Sequence, residues 1–292
     1  MDTAFQKHLE KTLQQSTGCN VEIISVSTVG GGCINHAQKL KTTAGDFFIK
    51  KNNASSYPGM FEAEAKGLKL LADTNAIHIP HPIATGVFEN TSFIIIEHIN
   101  SAPKNKNFWK DFGKKLATLH KITNDFYGLD HDNYIGSLQQ KNKQTKNWIT
   151  FFIEQRLQVQ LQLAESKGKI NSSILNNFER LFKKLPDLIT EEKPSLLHGD
   201  LWSGNFMINE KGVACLIDPS VYFGHREADL AMTHLFSGFD DEFYESYYEE
   251  WPLENNYYNR FDIYNLYPLL VHVNLFGGGY LDQVKYILRR FV

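Results

Sequence analysis

The sequence predicts an α+β protein of two lobes, a small antiparallel β-rich N-terminal lobe and a larger helical C-terminal lobe. Three observations predict it. Short apolar runs broken by glycine and turn residues fill roughly the first hundred positions, and amphipathic stretches of helix length take over from about residue 107. A lone β-like hairpin, "NFMIN" and "VACLID" joined by "EKG", interrupts those helices with acceptor-rich side chains around it. The boundary is set at 99/100, giving lobes 1–99 and 100–292, with a ligand cleft expected at their junction.

The elements follow in order. Phe5, Leu9 and Leu13 recur at helical spacing and predict a helix over 2–16. The runs "VEIISVSTV", "HAQKLKT" and "DFFIKKN" read as a small strand meander. In "GMFEAEAKGLKLLAD", residues 59–73, Phe61, Ala65, Leu68 and Leu71 share one helix face. Two more strands, near 83–88 and 92–99, follow the turn marked by "HIPHPIA". Beyond it, "FWKDFGKKLATLHKI", "NWITFFIEQRLQVQLQLAES" and "ILNNFERLFKKL" are amphipathic helices, and helices resume after the hairpin.

Composition excludes several classes of function. A net charge of −3 without any long Lys/Arg block lacks the electrostatic footprint of a nucleic-acid binder. No apolar run approaches the length of a membrane span, and the N-terminus lacks the apolar core of a signal peptide. Cys19, Cys33 and Cys215 are odd in number and far apart, so neither a disulfide framework nor a zinc site is indicated; a cytoplasmic location is expected.

The segment "LLHGDLWSGNFMINEKGVACLIDPS", 196–220, sets the chemistry. Asn205 lies five positions after Asp200 on a loop, and Asp218 ends the second strand of the hairpin, which returns it toward Asn205. An amide oxygen and a carboxylate converging there make a hard site suited to Mg²⁺. Asp200 is then free to accept a proton from a hydroxyl nucleophile, the division of labour of phosphoryl transfer from ATP. Singly, each residue reads equally well as a turn former or cap; the combination is what points to catalysis.

Upstream residues supply the nucleotide side. Gly30, Gly31 and Gly32 would let backbone N–H groups approach phosphate oxygens, although no Gly-Lys-Ser/Thr follows to make a Walker A loop. Lys50 closes a strand where it can reach the phosphates, with Glu64 on the next helix as its partner; Lys51 and Glu62 compete for these roles. Strand alternation allows only one of the two lysines to face the ligand. Glu97, His98 and Ile99 end the run "FIIIEHI" and offer backbone groups to adenine.

"LLHGDLWSGN", "IDPSVYFGHREADLAM", "NLYPLLVHVNLFGGGYL" and "GGGCIN" together resemble the fructosamine-3-kinase (ketosamine-3-kinase) family, within the protein-kinase-like and aminoglycoside-phosphotransferase-like fold. The resemblance runs over almost the whole chain. It implies ATP- and Mg²⁺-dependent phosphorylation of the 3-hydroxyl of ketosamines, free or protein-bound, with Asp200 as base, Asn205 and Asp218 as metal ligands, and Lys50 with Glu64 on the phosphates. It also places His272, Asn274 and Phe276 at the edge of the acceptor pocket. Trp202 is assigned to substrate stacking and His225 to substrate contact, while Asp229 supports the catalytic loop. His120 reads as a helix-packing residue. Cys33, directly after the glycines, is a candidate redox switch that would distort the phosphate loop or link two chains as a dimer when oxidised. Ten residues separate Asp218 from Asp229, too few for an activation segment. The competing readings are another small-molecule kinase of the aminoglycoside or choline type, and a nucleotide-binding scaffold without catalysis.

Overall fold

A computed structural model describes residues 2–30 and 35–292, so Gly31, Gly32 and Cys33 lie outside the described residues. The chain forms two compact units, 1–105 with 207–217 and 106–206 with 218–292. The division falls six residues beyond the expected boundary, and residues 207–217 group with the first unit.

The first unit is built on a five-stranded antiparallel sheet. Its strands are β1 (Ile23–Thr28), β2 (His36–Thr42), β3 (Gly45–Asn53), β4 (Pro82–Phe88) and β5 (Thr91–Glu97), ordered β1-β2-β3-β5-β4. Helix α1 (Thr3–Thr17) begins where the Asp2 carboxylate accepts from the N–H groups of Ala4 and Phe5. It ends at Gly18, whose φ of 72° suits a residue without Cβ. Phe5, Leu9 and Leu13 pack with Leu40, Ile49, Phe93 and Ile95 into one core cluster. Alternation along β3 buries Phe47 and Ile49 in that cluster, so the register of the strand is fixed by its apolar face. Helix α2 (Met60–Ala72) buries Phe61, Leu68 and Leu71.

Strands β9 (Phe206–Ile208) and β10 (Ala214–Leu216) form the expected hairpin. It joins the first unit through His78: the Leu216 N–H donates to the His78 carbonyl (3.0 Å), and the side chains of Asn209 and His78 meet at 2.8 Å. Gly212, at φ 71°, makes the turn; a Cβ there would lie 2.8 Å from the Pro103 carbonyl oxygen.

The second unit carries α3 (Phe108–His120), α4 (Trp148–Phe151), α5 (Gln158–Ser166), α6 (Ser172–Leu188), α7 (Glu227–Leu235), α8 (Asp241–Glu250), α9 (Tyr257–Leu275) and α10 (Tyr280–Phe291). Gly113 lets α3 and α8 meet closely, because a Cβ there would stand 2.2 Å from the Phe243 carbonyl oxygen. Two ion pairs hold this unit from a distance in sequence. Arg226 forks onto Glu192 (2.9 and 3.0 Å), and Arg260 onto Glu227 (2.7 and 2.6 Å).

Two differences from expectation appear. The 206–216 hairpin is not alone: β6 (Asn133–Ile135) pairs with β7 (Leu138–Gln140), and β8 (Ser195–Leu197) with β11 (Tyr222–Gly224). Strands of three residues are too short to print an alternation. The stretch read as one helix at 147–166 contains a π-helical turn, Phe152–Leu157, between α4 and α5. Among the described residues, no helix is long and apolar enough to cross a membrane.

Candidate active site

In the second unit, the loop after β8 is shaped by backbone contacts. Tyr222 faces Leu197 in the β8–β11 pair, and one step outward the Ser220 N–H donates to the His198 carbonyl (2.9 Å). Gly199 (φ 81°) permits this approach, since a Cβ would fall 2.0 Å from the Ser220 oxygen. The result brings Asp200 and Asp218 to neighbouring strand ends. Asn205 completes the group, its Nδ2 donating to both the Asp200 carbonyl (2.8 Å) and Asp200 Oδ2 (2.9 Å).

Asp229 secures the loop from beneath. Its carboxylate accepts from the N–H groups of His198 (2.7 Å) and Gly199 (2.9 Å). His120 Nε2 lies 3.2 Å from the same carboxylate, and its Nδ1 is 2.8 Å from the Tyr247 hydroxyl. Since a carboxylate only accepts, Nε2 carries the proton and Tyr247 donates to Nδ1. His120 therefore does more than pack its helix.

Burial pushes the Asp200 carboxyl up to about 7. The Asn205 hydrogen bond opposes that rise, and the negative charges of Asp218 and Asp229 add to it. Asp218 itself sits in left-handed backbone, φ 55°. The charges of Asp218 and Asp229 thus both act on the Asp200 carboxyl.

That arrangement fits Mg²⁺. With its amide N–H₂ turned onto Asp200, Asn205 keeps Oδ1 as its remaining acceptor, and Asp218 supplies a carboxylate. Among the described residues, no three His, Cys, Asp or Glu side chains are grouped to hold a metal alone. Mg²⁺ does not need such a group, because it binds through one or two protein oxygens, waters and substrate phosphates.

In the first unit, Lys50 Nζ meets Glu64 Oε1 at 2.6 Å, both side chains buried. The competing residues face elsewhere. Lys51 extends over the Phe5 ring (5.5 Å) on the other side of the strand, with burial lowering its pKa, and Glu62 is exposed. Gly30 follows Val29, whose N–H donates to the Ala37 carbonyl (3.0 Å). Glu97 ends β5 with its N–H on the His81 carbonyl (2.9 Å) and its carboxylate on the His81 N–H (3.3 Å). Partial burial lowers the His98 pKa, the charge of Lys39 adding to the effect and Asp46 opposing it; Ile99 is buried.

Other assignments separate by burial. Trp202 is 37% exposed and lies over Gly204, with its ring edge toward Phe236 (5.9 Å). Phe236 in turn contacts His272 (4.9 Å), and His272 contacts Phe276 (5.4 Å), which is 55% exposed. The aromatic strip is continuous, and Phe236 had no motif to announce it. His225 is corrected: it is fully buried between Trp148 and Tyr264 with Nε2 on the Thr190 carbonyl (3.2 Å), leaving no edge for a substrate. Asn274 is corrected likewise, because it is buried and donates to the carbonyl and Oε1 of Gln160 (both 2.9 Å).

A sheet-bound lysine paired with a helix glutamate, and an Asp-Asn-Asp set on a loop and strand end, define a phosphotransferase of the protein-kinase-like fold. An aminoglycoside phosphotransferase solved with AMP-PNP and hygromycin B shares that fold, with TM-score 0.61 at 14% identity, covering 97% of this chain and 96% of that chain. A model of the fructosamine kinase family matches residues 5–292, and the chain belongs to that family. It is 41% identical over 276 residues to the chloroplastic protein-ribulosamine 3-kinase of Oryza sativa subsp. indica, covering 93% of this chain and 80% of that protein. A solved structure from Haemophilus somnus 129PT, assigned as a fructosamine-3-kinase, is 31% identical with TM-score 0.89, covering 97% and 96% of the two chains.

Proposed function

We propose that this protein is a ketosamine 3-kinase, transferring the γ-phosphoryl group of ATP to the 3-hydroxyl of sugar–amine adducts of the fructosamine or ribulosamine type. The observation that carries the reading is Asp200, a carboxylate held by Asn205 within the field of Asp218. As the sugar 3-oxygen forms its bond to phosphorus, its proton passes to Asp200, and the bond to the ADP oxygen breaks. Asn205 and Asp218 would hold Mg²⁺, which would supply charge neutralisation for the phosphate oxygens. Lys50, oriented by Glu64, engages the phosphates, and Gly30 offers them its backbone N–H. Adenine is received along Glu97 to Ile99. Trp202 and the strip through Phe236 to His272 stack on the sugar and its amine-bearing arm.

The product explains the choice of hydroxyl. In a ketosamine, C3 neighbours the C2 carbonyl, so loss of a C1 proton gives an enaminol that expels the 3-phosphate. Water then hydrolyses the resulting imine, releasing the amine and a dicarbonyl sugar. The reaction is a deglycation, and we place it in the cytoplasm.

The test is ADP release with a ribulosamine, a fructosamine and an aminoglycoside, using wild type and Asp200→Asn. Turnover with the ketosamines alone, lost in the variant, is expected. Preference for the aminoglycoside would overturn the substrate assignment, and no turnover with any acceptor would leave a binding scaffold.

A further inference from the structure

The chain just after Asp218 is gripped by a buried network of side-chain amides that the catalytic chemistry does not use. Gln140 Nε2 donates to the Ser220 carbonyl (3.0 Å), and Asn133 Nδ2 donates to the Val221 carbonyl (2.8 Å). Ser220 Oγ donates to the Tyr134 carbonyl (2.8 Å), while its N–H is already committed to His198. Both amides belong to the β6–β7 hairpin, and both residues are buried.

The direction of every bond in the network is forced from its ends. Arg156 can only donate, so Asn142 turns Oδ1 to its Nη2 (2.8 Å) and gives Nδ2 to Asn133 Oδ1 (2.9 Å). Asn133 is thereby left with its N–H₂ facing Val221. From the other side, the Ser220 carbonyl can only accept, so Gln140 turns its N–H₂ toward it and toward Asn133 Oδ1 (2.8 Å), and the Tyr267 hydroxyl donates to the Oε1 that is left (2.7 Å).

Arg156 is a costly residue to place there. Its side chain is fully buried, and no carboxylate pairs with it among the described residues; its guanidinium lies over the rings of Tyr222 (4.0 Å) and Phe151 (4.6 Å) instead. It projects from the π-helical turn, a helix irregularity often found at functional sites. A neutral hydrophobic side chain would fill the space but could not polarise the chain of amides.

We propose that Gln140 and Asn133, oriented by Tyr267 and Arg156, are positioning residues that hold Asp218 in its left-handed conformation for the metal. Such a conformation persists in a non-glycine residue when its surroundings over-determine it. This rests on the reading of Asp218 as a metal ligand. With ten residues between Asp218 and Asp229, a fixed clamp replaces the movable segment by which protein kinases control the same carboxylate.

The test uses Mn²⁺ with ADP, reading bound metal by electron paramagnetic resonance, and amide hydrogen exchange at residues 220–222 in metal-free protein. For Gln140→Met, Mn²⁺ should bind about tenfold more weakly, exchange at 220–222 should rise, and the acceptor KM should hold. Tyr267→Phe should move the same readouts less and serves if Gln140→Met fails to fold. Asp218→Asn is the control: if it leaves Mn²⁺ affinity unchanged, the metal reading itself falls. If Asp218→Asn abolishes binding while Gln140→Met and Tyr267→Phe lose only thermal stability, the clamp is structural and the proposal is overturned.

Discussion

Lys50 and Glu64 in the first unit neutralise one another, whereas Asp200, Asp218 and Asp229 in the second unit crowd like charges together. The first holds a buried ammonium and a partly buried carboxylate in direct contact at 2.6 Å. In the second, burial and two neighbouring carboxylates push Asp200 up to about 7. A buried opposite-charge pair fixes a side chain in position, while a like-charge cluster creates a demand for positive charge. In phosphoryl transfer those are the two things required, a placed cation for the phosphates and a site that attracts another.

Removing one member from each region should therefore give opposite results for stability. Asp200→Asn removes a charge from the crowded cluster, so kcat should fall by about 10²–10⁴-fold with no loss of thermal stability. Steady-state ADP release and a melting curve measure the two; retained activity would remove the base assignment. Glu64→Ala removes a carboxylate from contact with the buried Lys50 ammonium, and the protein should lose about 3–5 kcal/mol in urea unfolding. Changing both, Lys50→Met with Glu64→Leu, should restore most of that stability and no activity. If the single variant is as stable as wild type, the pair is more solvated than its burial indicates.

The regions also differ in how readable they were. Lys50 and Glu64 sit on a strand and a helix whose periods are printed in the sequence, and alternation along β3 alone separates Lys50 from Lys51. The Asp200, Asn205 and Asp218 set was legible because the hairpin between them is short and local. Of its supports Asp229 was named, but the distant contacts that make the support were not legible. Asp229 reaches His198 across 31 positions, and Tyr247 reaches His120 across 127. His225 stands among Arg226, Glu227 and Asp229, so it reads as part of a polar surface, yet Glu192 and Arg260 pair with its neighbours and bury them all. Charge in a sequence signals exposure only until a distant partner of opposite sign is known. Arg156 was missed for the same reason, with aromatic rings as its partners.

A smaller effect bears on the acceptor. Trp202 is tied to the catalytic loop and keeps an exposed ring, so Trp202→Ala should raise the ketosamine KM roughly tenfold, the order of one desolvated cation–π contact, and leave the KM for ATP unchanged. An equal rise in both would make Trp202 a prop for the loop instead of a contact.

The smallest and most discriminating effect is the response to pH in metal-free protein. Asp200 has a folded pKa raised above the unfolded value of about 3.8, so its contribution to stability is complete below that value and is lost as pH rises through about 7. Glu192 runs the other way. Burial alone would raise it, but the Arg226 hydrogen bond and the charges of His225, Arg226 and Arg260 outweigh burial and hold it below its ordinary range. Its contribution is present above the unfolded value of about 4.3 and is lost as pH falls through the folded one. Melting curves in EDTA should therefore show Asp200→Asn flattening the loss from pH 5 to pH 8, and Glu192→Gln flattening the loss on the acid side. If both substitutions flatten the same limb, the contrast between a carboxyl raised by burial and a carboxylate lowered by Arg226 fails.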